Sequence, residues 1–129
     1  MARFILLIII SFNLFYSNSQ CGASIPNNTP SLPNNSTFTI NAGQVYKGQN
    51  LGSITINNYG TLFIESASSN TIIRNHGTIY LMSNLNLLTL HNYNQTYLQT
   101  AGAIILYNYK SLTLCNSSAL NGSTKINNY

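Results

Sequence analysis

The sequence predicts an all-β fold: a short parallel β-helix, or solenoid, of about five coils of roughly 17 residues each. Three observations carry that expectation. Asn58, Asn75, Asn92 and Asn108 recur at steps of 17, 17 and 16 residues, each inside nearly the same phrase. Around each Asn, positions at fixed offsets hold one chemical type from unit to unit. Within a unit, apolar and polar positions alternate with period two, which marks strand and not helix.

The four phrases run Ile56–Ile64, Ile73–Leu81, Leu90–Leu98 and Leu106–Leu114. Two residues before the Asn stand Ile56, Ile73, Leu90 and Leu106; four after it stand Leu62, Ile79, Thr96 and Leu112; six after it stand Ile64, Leu81, Leu98 and Leu114. These are the expected inward columns, with Phe63, Tyr80, Tyr97 and Thr113 facing outward between the last two. A second apolar patch (Ile72, Leu87-Leu88, Ile104-Ile105) precedes each following phrase, so a unit holds about two short strands. Stacking such units at about 4.8 Å sets like residue over like residue. Asn58, Asn75, Asn92 and Asn108 then form a structural ladder at a corner, each side-chain amide bonding to backbone and to its neighbours. Gly60, Gly77 and Asn94, two residues on, predict a left-handed turn there. Phe38 to Ile54 reads as a degenerate first coil, and Ile126-Asn127-Asn128-Tyr129 begins the phrase once more.

The run Asn-x-Gly-Thr-Ile/Leu, at Asn58 to Leu62 and Asn75 to Ile79, resembles the coil repeat of right-handed parallel β-helix proteins. It is most similar to the adhesin-like, filamentous-haemagglutinin type. The resemblance covers residues 56–114 and the C-terminal stub. It implies a right-handed coil and points toward adhesion.

Three segments are expected: residues 1–19 a signal peptide, 20–37 a Pro/Asn-rich arm, and 38–129 the β-helix domain. Arg3 precedes an apolar run from Phe4 to Ile10, and Ser17 and Ser19 are small residues at the positions a signal peptidase reads. That run is short of the roughly 20 residues that span a bilayer, so a retained anchor is the weaker alternative and stable membrane insertion is not expected. A secreted, extracellular product follows. Pro26, Pro30 and Pro33 among Asn and Ser mark the arm. Cys21 and Cys115 bracket the domain; they pair with each other, remain thiols, or pair between molecules. Glycosylation sequons stand at Asn27, Asn34, Asn35, Asn94, Asn116 and Asn121, as in a secreted glycoprotein.

The composition excludes several chemistries. With one acidic residue, Glu65, against five Lys and Arg, the net charge of +4 reflects missing acids. The bases are scattered, so nucleic acid is not an expected partner. Hydrolysis of a glycoside normally uses two carboxyl groups set across the bond, and calcium sites need several carboxylate oxygens. His76 and His91 lie at different offsets, with no ligand spacing around them. No catalytic residue, metal site or cofactor is expected, and the protein reads as a non-catalytic structural or adhesion-type protein. The remaining feature is aromatic: Tyr59, His76, Tyr93 and Tyr109 follow the ladder Asn, as Tyr129 does at the stub, with Tyr80 and Tyr97 in the outward strand column. Such stripes either stack structurally or present a glycan-binding strip, the alternative function. Expected partners are extracellular glycans, or further copies of the chain at an open strand edge.

Overall fold

The computed structural model describes residues 21–33, 36–83, 85–99, 102–115 and 123–129. The expected signal peptide and the sequons at Asn34, Asn35, Asn116 and Asn121 lie outside the described residues. The described chain is built of short strands with no helix: β1 (Thr37–Ile40), β2 (Val45–Gly48), β3 (Thr55–Asn58), β4 (Thr61–Ile64), β5 (Thr71–Asn75), β6 (Thr78–Leu81), β7 (Leu88–Asn92), β8 (Gln95–Leu98), β9 (Ile104–Asn108), β10 (Ser111–Leu114) and β11 (Lys125–Asn128).

Odd and even strands separate into two parallel sheets. One has the order β1-β3-β5-β7-β9-β11 and the other β2-β4-β6-β8-β10. Register follows the sequence repeat, with Ile56 against Ile73, Ile73 against Leu90 and Leu90 against Leu106. Each coil therefore crosses one sheet, turns at the Asn corner, crosses the other, and returns along a third side. There Leu51, Ala67 and Leu85 pair through single parallel bridges. The result is a parallel β-solenoid of about five coils.

The core fills the space enclosed by these sides. Ile56, Ile73, Leu90 and Leu106 meet Leu62, Ile64, Ile79, Leu81 and Leu98 there, all fully buried. At roughly 1.5–3 kcal/mol for each large side chain removed from water, this burial offsets much of the cost of ordering the chain. The second apolar patch divides. Leu88 and Ile104 enter the core, whereas Ile72, Leu87 and Ile105 remain exposed. One core position is chemically discordant: Thr96 occupies the column of Leu62 and Ile79, is fully buried, and its hydroxyl has no hydrogen-bond partner.

The corner glycines act for a reason other than the one expected. Positive φ occurs at Gly43, Asn28, Asn50 and Leu87, and not at Gly60, Gly77 or Asn94. Glycine is needed at Gly60 and Gly77 because of the coil below. A Cβ on Gly60 would meet Asn41 O at 2.6 Å, and one on Gly77 would meet Tyr59 C at 2.7 Å and the carbonyl oxygen of Gly60. Close backbone approach sets the requirement, not backbone handedness.

The arm closes the first coil. Leu32 N donates to Lys47 O at 2.8 Å and Lys47 N donates to Pro30 O at 2.9 Å, so the arm pairs with the free edge of β2 while Leu32 is buried. Its other end reaches the far coils: Cys21 is disulfide-bonded to Cys115 and accepts at its carbonyl from Gln99 Nε2 at 2.7 Å. The arm thus runs back along the stack and ties its last part to its first. Closing a loop with a sequence separation of 94 stabilises by about 2–5 kcal/mol in chain-entropy accounts.

Replacing Thr96 with Val keeps the shape and removes a buried hydroxyl without a partner. Thr96→Val is expected to stabilise the protein by about 1 kcal/mol. In urea unfolding of unglycosylated material this appears as a higher midpoint with an unchanged slope.

Candidate functional site

The Asn corner is the most ordered polar feature of the molecule. Asn58 Nδ2 donates to Asn75 Oδ1 at 2.7 Å, Asn75 Nδ2 to Asn92 Oδ1 at 2.9 Å, and Asn92 Nδ2 to Asn108 Oδ1 at 2.8 Å. Asn108 Nδ2 continues the series to Asn128 Oδ1 at 3.1 Å, so the C-terminal stub supplies a fifth rung. The second hydrogen of each amide reaches a backbone carbonyl of the next coil: Thr78 O at 3.0 Å, Gln95 O at 2.9 Å and Ser111 O at 2.8 Å. Asn58, Asn75 and Asn92 are fully buried. Only a primary amide of this length offers two donors and an acceptor at one point. At the start of the stack, Ile40 holds the ladder position in register with Asn58, and Asn58 Oδ1 accepts from Gly60 N at 3.2 Å. These amides have their hydrogen bonds within the fold.

Beside the ladder the aromatic residues form three stacks. Along the corner, Tyr59, His76, Tyr93, Tyr109 and Tyr129 follow one another with ring centroids 4.7–5.0 Å apart and planes within 15° of parallel. This stripe is exposed. On the five-stranded sheet, Phe63, Tyr80 and Tyr97 stack at 4.7 and 4.8 Å. Although they sit in the outward column, Phe63 and Tyr97 are buried, and burial, followed by the neighbouring Tyr80, pushes the Tyr97 phenol up. A third pair, His91 on Tyr107 at 4.8 Å, lies on the six-stranded sheet. The sequence signal for it was the strand register, two residues before the corner stripe.

The candidate glycan-binding residues therefore fall into two groups. Tyr59, His76, Tyr93 and Tyr109 form one continuous strip, while Tyr80 and Tyr97 belong to a separate and more enclosed one. Stacked rings present their edges and phenolic hydroxyls outward, because their faces meet each other.

Titratable groups do not converge. Among the described residues no group of three His, Cys, Asp or Glu could hold a metal ion. Glu65 is half-buried and its Oε2 has no hydrogen-bond partner. Of the sequon residues in the described part, Asn27 is exposed on a turn in which Thr29 N donates to Pro26 O at 3.2 Å. Asn94 is half-buried at the corner, and the Thr96 of its sequon lies in the core. Among the described residues no helix is long and apolar enough to cross a membrane.

No protein family, curated protein or solved structure matches this chain.

Breaking the ladder leaves buried amide and carbonyl groups unpaired, at about 1–3 kcal/mol for each. The double variant Asn75→Leu, Asn92→Leu is expected to lose about 3 kcal/mol or more. An unchanged thermal midpoint would contradict the ladder's structural role. His91 gives a pH dependence. Burial disfavours its imidazolium, and the Arg74 guanidinium adds repulsion, so its folded pKa lies below the ordinary value. The unfolded state then binds more protons as pH falls past about 6.5, so stability is complete above that point and declines below it. His91→Phe keeps a ring for Tyr107 and is expected to flatten this slope when unfolding is compared at about pH 7.5 and about pH 5.

Proposed function

We propose that this chain is a secreted, non-catalytic extracellular protein of structural or adhesion type. The observation that carries the reading is where the polar chemistry goes. The buried amides bond to one another, the sole carboxylate stands without a second, and the two histidines are each stacked on tyrosine rings. A reacting substrate would need converging acids, bases or metal ligands, and the described side chains serve cohesion instead. The disulfide supports an oxidising compartment, because such bonds persist mainly outside the cytosol. The resemblance of the Asn-x-Gly-Thr repeat to adhesin-like β-helix proteins supports the adhesive side of the reading. Attached sugar at Asn27 would add solvation to a surface poor in charge.

A carbohydrate-binding module is the competing reading. Sugar rings bind aromatic side chains by stacking on their faces, and here neighbouring rings occupy those faces within 15° of parallel. The stripe would have to act through ring edges and hydroxyls. A glycan array separates the two readings. The structural reading expects no selective retention. Selective retention that disappears in the double variant Tyr59→Ala, Tyr93→Ala would move the assignment to the module.

A further inference from the structure

On the outer side of the six-stranded sheet the surface departs from its amide and hydroxyl character. Leu87, Ile72 and Ile105 are exposed there, Leu87 at 57%. Strand register extends the column of Leu87 to Ser53 and Asn70 in earlier coils and to Ala103 in the next, so a large aliphatic residue is out of keeping with its neighbours. Its backbone is also out of keeping. Leu87 has φ of 54°, a left-handed conformation that bulky side chains rarely adopt. The Leu87 carbonyl accepts from Thr71 N at 3.2 Å, but its side chain is strained into a mostly exposed position, and strained residues concentrate at ligand sites.

Leu87 lines an open trough of about 290 Å³. Ala103 and Ile105 supply further apolar surface, Thr89 and Ser123 add hydroxyls, and Asn70 stands toward one end and Lys125 toward the other; Leu88 adjoins the floor with its side chain in the core. These residues lie in or immediately before β5, β7, β9 and β11, successive strands of one sheet, so the trough runs along the solenoid axis. Its volume is near the lower limit of small-molecule sites, roughly 300 Å³. Among the described lining residues the one charged group is the Lys125 ammonium, and the single acidic side chain of the sequence, Glu65, follows the β4 strand of the other sheet. An open, mainly apolar trough with a cation toward one end complements an unbranched aliphatic chain that carries a single anionic head.

We propose that this trough binds a medium-chain fatty carboxylate, its alkyl chain along Leu87, Ala103 and Ile105 and its carboxylate paired with Lys125. The site is independent of the tyrosine stripe and goes beyond the structural role. Concavity favours a single chain over a bilayer surface, which would call for a flat or convex apolar face.

The test is a methyl NMR titration of the disulfide-intact protein with decanoate below its micellar concentration. Saturable shifts centred on Leu87, Ala103 and Ile105 are expected, with the methyls of the inward columns unmoved. Decanol, which lacks the charge, and the variant Lys125→Glu should each weaken binding about tenfold. Leu87→Gly should abolish binding while raising the thermal midpoint, since glycine accepts the left-handed backbone that leucine resists. A destabilised fold cannot mimic that pair of results. Absence of saturable shifts, equal affinity for decanol and decanoate, or undiminished binding by Leu87→Gly would overturn the proposal. So would binding to phosphatidylglycerol vesicles without binding to decanoate, which would make this face a membrane contact instead.

Discussion

The buried asparagine ladder is the interaction on which the other regularities rest. The inner rungs, Asn75 and Asn92, are each held at once by the rung before, the rung after and a carbonyl of the next coil. A slip of one residue in any coil would leave an amide and two of its partners unpaired in an apolar interior, at about 1–3 kcal/mol for each group. Register is therefore fixed at the corner. Once it is fixed there, the apolar columns on both adjoining sheets must align, and so must the rings that follow each Asn. The close approach that excludes a Cβ at Gly60 and Gly77 belongs to the same tight corner. The first coil shows how the series begins. Ile40 takes the ladder position, so the amides start against an apolar cap, with Gly60 N supplying the donor that no earlier rung can give.

The arm and the disulfide act at a longer range. Neighbouring coils touch only each other in a stacked repeat, so the ends of the stack are its weakest parts. The arm answers this by pairing with the β2 edge while its other end is bonded to Cys115. Local ladders and one long covalent tie thus cover different failures: the ladder opposes slippage between neighbours, and the tie opposes fraying from the ends.

How much of this was legible in the sequence depended on whether a feature repeats. The ladder, the inward columns and the corner stripe recur at fixed pitch, and alignment on Asn58, Asn75, Asn92 and Asn108 exposes them directly. Features that occur once, or that depend on the neighbouring coil, were not legible. Gly60 and Gly77 suggested a left-handed turn, and the actual constraint is the carbonyl of the coil below, which no local reading contains. The outward column Phe63, Tyr80 and Tyr97 followed from strand alternation, but the burial of Phe63 and Tyr97 did not. Cys21 and Cys115 left their pairing open because the path of the arm was unknown. Leu87 and Leu88 belonged to one apolar patch in the sequence, and what separates them is a backbone conformation at Leu87 that sequence rules assign to glycine or asparagine.

The scarcity of charge, which first suggests an unusual composition, follows from the same stacking. A parallel solenoid sets each residue above its equivalent at about 4.8 Å. Groups that bind their own kind gain from this: an amide is donor and acceptor together, and aromatic rings attract when offset and parallel. Like charges lose by it, from under about 1 kcal/mol in open water to roughly 3–4 kcal/mol near a protein surface for each neighbouring pair. The charged residues obey this constraint. Lys47 is flanked in its column by Ser31 and Phe63, Lys125 adjoins Ile105, and Arg74 lies between Asn57 and His91. In the last case burial first, and repulsion from the Arg74 guanidinium second, drive the His91 pKa down. A column of this pitch accommodates a charge where the residues in register on either side carry none of the same sign. Lys125, in register with Ile105 on the last strand of the sheet, is such a case.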